Sequence, residues 1–249
     1  MRIRVLVPLT LEGVGDEPMH ELLELYAQVG AKSTELSVAK ITGGPSTVEQ
    51  HYDEALAAGY AVMEAERAER EGCDAVLNAC FGDPGLRACR EAVRIPVMGT
   101  GLASMTVATT LGSAFGLVAV EENGIPLMRD LASSYGHAHR LAGIRPLGAS
   151  VPEILGSSAP GEGRDTLLEQ ALVPARRLVE EDGADVLILG CGGLGNVGAP
   201  KWLEERLGVP VLDPNVTALK LTELLVVGGV AHSRTTYPPP RAKPRSHPG

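Results

Sequence analysis

Gly72-Cys73-Asp74-Ala75-Val76-Leu77-Asn78-Ala79-Cys80 and Gly183-Ala184-Asp185-Val186-Leu187-Ile188-Leu189-Gly190-Cys191 are two forms of one pattern. Each reads Gly-x-Asp, then an apolar run, then a cysteine. A short apolar run bounded by turn residues is a buried strand of a parallel sheet. An amphipathic segment precedes each copy and a glycine-containing loop follows it. A second short strand then closes each unit, Ile95-Pro96-Val97 in one and Val209-Pro210-Val211 in the other. Both cysteines therefore fall at the carboxyl ends of equivalent strands, where open α/β sheets bind their ligands.

Outward from these strands, the rest of the chain alternates in the same rhythm. Ile3 to Val7 and Glu35 to Ile41 read as strands, and so do Ala114 to Val120 and His139 to Ile144. Ser46 and Glu49 have the form of a capping box opening a helix that runs to about Glu71. Asp83 is expected to cap a helix with Pro84 in its first turn. Further helices are expected over Gly101 to Leu111, Arg164 to Asp182 and Asp213 to Val227. Residues 148–164, rich in Gly, Ser and Pro, read as a surface loop over the site. The basic, proline-rich tail from Ala231 is expected to pack loosely.

The expected fold is α/β, with two similar lobes related by a pseudo-two-fold axis. Each lobe is a four-stranded parallel sheet flanked by helices, with the active site in the cleft between them. The first lobe takes residues 1–98 plus 213–249, and the second takes 99–212.

Composition narrows the function. A hydrophobic share of 44% and a charged share of 21% suit an ordinary globular protein. The net charge of −9 argues against nucleic-acid and anionic-membrane partners, which need a basic face. No apolar run is long enough to span a bilayer, and Met1 leads straight into a strand-like run, so a cytoplasmic setting is expected. The four cysteines match no paired C-x-x-C zinc pattern, and no metal or cofactor is expected. Cys73 and Cys89 read as small buried hydrophobes. Asp74 and Asp185 are expected to start their strands through turn hydrogen bonds. His137 and His139 are expected to face solvent, as is the acidic helical face from Glu64 to Glu71.

Cys80 and Cys191 are the candidate catalytic pair. A thiol near a helix N-terminus is expected to gain thiolate character. One thiolate and one thiol on opposite sides of a small molecule form a base and an acid that exchange roles. They invert a carbon centre without a cofactor. Backbone amides of Gly82, Gly192 and Gly193 are expected to receive the developing enolate. Sulfurs roughly 7–9 Å apart would leave room for one planar ring.

Several stretches carry a resemblance. Gly44-Pro45 through Tyr52-Asp53-Glu54-Ala55, Ala79-Cys80-Phe81-Gly82-Asp83-Pro84-Gly85-Leu86, Leu189-Gly190-Cys191-Gly192-Gly193-Leu194 and Ser233-Arg234-x-x-Tyr237-Pro238-Pro239-Pro240 resemble the aspartate/glutamate racemase superfamily. Within it they are most similar to the hydantoin and allantoin racemases. The resemblance implies cofactor-independent proton transfer at C5 of a 5-substituted hydantoin, with Cys80 and Cys191 as the two bases. It also implies a homo-oligomer and a first lobe completed by the C-terminal helix.

The resemblance places Pro8, Thr10, Phe81, Gly82, Val120, Gly192 and Gly193 around the substrate. Gly192-Gly193 stands where the amino-acid racemases usually carry Thr-His, which counts against free aspartate or glutamate. Val7-Pro8-Leu9-Thr10, Leu102 and Ala119-Val120 replace more polar family residues, so the pocket is expected to be less polar. Two other readings stay open: an isomerase or decarboxylase of a small acid, and a non-catalytic binding protein of the same fold.

Overall fold

The computed structural model describes residues 1–157 and 161–245. Its first half runs β1 (Arg2–Val7), α1 (Glu17–Val29), β2 (Glu35–Lys40), α2 (His51–Arg70), β3 (Ala75–Asn78), α3 (Leu86–Ala92) and β4 (Val97–Gly99). Then come α4 (Thr100–Leu111), β5 (Phe115–Ala119), α5 (Ile125–Ser134), β6 (Leu141–Pro146), α6 (Val151–Gly156) and α7 (Glu162–Glu180). The chain ends with β7 (Val186–Leu189), α8 (Gly193–Asn196), α9 (Ala199–Leu207), β8 (Val211–Leu212) and α10 (Pro214–Val227).

Two four-stranded parallel sheets result, ordered β2-β1-β3-β4 and β6-β5-β7-β8. The central strands are apolar and covered on both faces, as parallel strands between helical layers must be. In each sheet the order reverses between the first strand and the cysteine strand. That reversal opens a crevice at the carboxyl edge. Helix α10 returns from the second sheet to pack on β3, β4 and α1.

The Gly-x-Asp signature has a structural use. The Asp74 carboxylate accepts the Arg2 N–H at 2.7 Å, and Asp185 accepts those of Ser113 and Ala114 at 2.8 and 2.9 Å. Each aspartate thus ties the start of a cysteine strand to the start of its neighbour. At the other end, Ala79 N–H donates to Leu6 O and Gly190 N–H to Val118 O, both at 2.8 Å. Each cysteine is the first residue beyond that final backbone bond.

Local expectations are corrected at several places. Helix α2 begins at His51 with Gln50 as an N-cap lacking a side-chain bond, so Ser46 and Glu49 form no capping box. The segment is instead pinned to the β1–α1 loop, with Thr10 N–H on Pro45 O and Leu11 N–H on Ser46 O. Asp83 has a positive φ of 48° and reaches past α3 to another helix. Residues 148–157 are not simply loop: Ser150 and Glu153 form a capping box that opens α6, and α7 has begun by Glu162. Residues 158–160 of the expected loop lie outside the described residues.

The acidic face of α2 is not wholly solvated either. Arg4 of β1 and Glu64 pair with nine-tenths of each side chain buried, and Arg4 also pairs with Glu71. The tail is tied down. Val97 N–H donates to His232 Nε2 at 2.7 Å, and Arg234 donates to the Arg90 and Val93 carbonyls at 2.8 and 2.7 Å. Tyr237 lies beneath the guanidinium groups of Arg87 and Arg90. Residues 246–249 of the tail lie outside the described residues.

Two measurements test these contacts. Arg4→Met should destabilise the protein by about 3 kcal/mol in urea unfolding, because Glu64 loses its buried partner, and Glu64→Leu in the same chain should restore most of it. Burial, with Arg90 nearby, holds His232 down to about pH 4. Its ring is thus neutral in the fold while the unfolded chain binds a proton below about 6.5. The stability it lends is complete above that value and is lost as pH falls toward 4. His232→Asn should flatten that part of the stability–pH curve.

Candidate active site

The crevices of the two sheets meet in one cavity of about 110 Å³, against the ~10–15 Å³ that admits a single water. Cys80 and Cys191 both line it. So do Phe81, Gly82, Val120, Gly192 and Gly193. Pro8 and Thr10 do not: the wall at the end of β1 comes from Val7, Leu9 and Leu11. The extended chain sends alternate residues to opposite sides, and the Thr10 hydroxyl turns to the Pro45 carbonyl at 3.3 Å. Leu102 also lies elsewhere, in the cluster around Val93 and Val97. His137 is half-buried and His139 exposed, both outside the cavity. Cys73 and Cys89 are buried in the first lobe's core.

Burial decides the state of the thiols. It pushes Cys80 up to about 12 and Cys191 up to about 11. The amide of Gly82 on Cys80, and those of Gly193 and Leu194 on Cys191, pull the other way and lose. Both groups therefore rest as thiols, contrary to the expected gain in thiolate. Moreover, Gly82 and Gly193, expected to receive an enolate, direct their amides at the sulfurs. A charge on Cys191 also raises Cys80, after burial and Asp83.

A carboxylate stands at a helix start beside each cysteine loop. Asp83 accepts the Gly101 and Leu102 N–H groups at the head of α4, at 3.0 and 2.8 Å, and the Tyr135 hydroxyl at 2.7 Å. Burial raises its carboxyl to about 6. Gly101 must be glycine, because a Cβ there would lie 2.4 Å from the Phe81 carbonyl oxygen. On the second side Asp213 caps α10 through the N–H groups of Asn215 and Val216, at 2.8 and 3.2 Å. There a Cβ on Gly192 would meet the Asn215 side chain at 2.3 Å.

Three polar lining residues escaped the sequence reading. Glu49 accepts the Val151 N–H at 3.0 Å, clasping α6 across the cleft. Asn196 donates to Glu21 at 3.0 Å. Asn215 is 5% exposed. The usable signal for Asn215 was its place just beyond β8, at the same carboxyl edge as the cysteines. Glu49 is the one charged side chain among the described lining residues, and no Lys, Arg or His joins it. Among the described residues no group of three or more His, Cys, Asp and Glu side chains is arranged to hold a metal.

Fold and site together define a two-lobed racemase-type α/β enzyme. A profile of Asp/Glu/hydantoin racemases matches residues 17–222, and the chain belongs to that family. It is 35% identical to a hydantoin racemase of Paenarthrobacter aurescens over 98% of this chain and 99% of the relative. With a hydantoin racemase of Pseudomonas sp. strain NS671 it shares 34% identity over 98% of this chain and 93% of that one. Allantoin racemase from Klebsiella pneumoniae superposes with a TM-score of 0.87 at 29% identity, covering 99% of this chain and 96% of that one.

The thiol states are directly measurable. Iodoacetamide alkylation of Cys80 and Cys191 in the free enzyme should rise about tenfold per pH unit from 7 to 10 without levelling. A plateau near 8.5 in peptide-resolved rates would show that burial does not control these thiols.

Proposed function

We propose that this protein is a cofactor-independent racemase of 5-substituted hydantoins or related cyclic ureides, with Cys80 and Cys191 as its two bases. The observation that carries this reading is the pair of thiols on one cavity, each supplied by the equivalent strand of a different lobe. The wall favours a neutral ring. A small carboxylic acid would bring its charge beside Glu49 with no cationic side chain among the described lining residues. That weighs against the acid isomerase or decarboxylase alternative.

The reaction begins once one of the two resting thiols has lost its proton to solvent, leaving one thiolate and one thiol. The thiolate takes the proton from C5, and the C–H electron pair moves into the adjacent carbonyl to give an enolate. The opposite thiol then returns a proton to the other face of C5, its own sulfur becoming the thiolate. The charge on the pair is unchanged and the centre is inverted. Amides at each sulfur serve both halves of the exchange, because each cysteine is a thiolate on one side of the step. The sulfurs are expected to stand roughly 7–9 Å apart across the ring. A cytoplasmic homo-oligomer is the proposed setting, and exposed Leu224, Val227 and Val230 offer such an assembly an apolar surface.

The test uses metal-free protein in deuterium oxide with enantiopure 5-benzyl-, 5-isobutyl- and 5-methylhydantoin. Optical rotation should decay as deuterium enters C5. Cys80→Ala and Cys191→Ala should each lower racemisation at least about 100-fold. Racemisation surviving in either variant would sink the two-base mechanism.

A further inference from the structure

The chemistry above leaves one requirement only partly met, since of the three expected amide donors only that of Gly192 is not directed at a sulfur. Removing the C5 proton puts negative charge on the neighbouring carbonyl oxygen, and that oxygen needs a hydrogen-bond donor. The cysteine-loop amides of Gly82, Gly193 and Leu194 are directed at sulfur. Among side chains of the described lining residues, only two carry N–H donors. Asn196 Nδ2 is engaged by the Glu21 carboxylate at 3.0 Å. Asn215 is the other, and its side-chain amide makes no hydrogen bond to any described residue.

Asn215 is also well placed and well held. Its backbone N–H is fixed to Asp213 Oδ1 at 2.8 Å in the first turn of α10. Its side chain lies against Gly192, the residue after Cys191, so closely that any Cβ at Gly192 would displace it. A primary amide without a protein partner takes its hydrogen bonds from whatever fills the space it faces. The cavity that it lines, together with both thiols, supplies the place for that partner.

We propose that the Asn215 amide is a catalytic donor that hydrogen-bonds the substrate carbonyl next to C5 and stabilises the enolate formed there. This rests on the racemase reading. The Nδ2–H bond to that oxygen strengthens as the C–H electron pair moves onto it, and no proton is transferred to or from Asn215. The interaction is stronger in the transition state than with bound substrate, so its loss falls on kcat more than on KM.

The experiment compares wild type, Asn215→Ala and Asn215→Asp on enantiopure 5-benzyl- and 5-phenylhydantoin, reading kcat, KM and C5 deuteration. With the benzyl compound Asn215→Ala should lower kcat about 100-fold and change KM far less. Asn215→Asp should do at least as much damage, since it replaces the donor with a charge that repels the enolate. A 5-phenyl group delocalises the carbanion by conjugation, so the penalty should shrink several-fold with that substrate. A purely structural asparagine would impose equal losses on both, and that result overturns the assignment while leaving the racemase intact. So would a loss confined to KM. If wild type exchanges C5 of neither compound, the racemase reading fails and this proposal fails with it.

Discussion

Two backbone hydrogen bonds, Ala79 to Leu6 and Gly190 to Val118, end the pairing of the cysteine strands with their neighbours. They depend on parallel strands that are buried on both faces, so register cannot slip without carrying apolar side chains out of the core. The residue after each bond is a cysteine whose sulfur is then free of the ladder but still held by it. Asp74 and Asp185 fix the opposite ends of the same strands. Position at the site is therefore a property of the sheets, and the loops need only shape the space between them.

That space sets the chemical character of the site. Apolar walls desolvate both thiols and make ionisation costly, while the loop amides aimed at the sulfurs limit that cost. Within walls of this kind a thiolate is scarce but strongly basic once formed. Glu49 and the amides of Asn196 and Asn215 give it polarity at defined points. Of the residues expected to make the pocket less polar, Val7, Leu9 and Val120 line it, while its polar side chains come from α8, α10 and the segment before α2.

The architecture was legible because buried strands leave continuous apolar runs, and the duplicated Gly-x-Asp…Cys pattern set their order. The cysteines could be placed from that alone. Other residues failed for local reasons. Ser46 and Glu49 match a capping box in letters, but the chain there is bonded to the β1–α1 loop and Glu49 serves a helix of the other lobe. Asp83 looks like the cap of the nearest helix, whereas its positive φ turns it toward α4. Pro8 and Thr10 each stand one residue away from the lining at Val7, Leu9 and Leu11, since alternation decides which neighbour faces the cavity. For Ser46, Glu49 and Asp83 the missing information was a partner distant in sequence.

The latch formed by the tail also bears on solubility. Among the described residues strand β4 is the outer strand of its sheet and presents main-chain donors sideways. His232 occupies the Val97 N–H, while Arg234 and Tyr237 fasten the tail over the adjoining α3. An uncovered sheet margin is a template for edge-to-edge joining with another chain. The segment from His232 to Tyr237 thus acts as a selvedge, a finished border laid along one sheet margin.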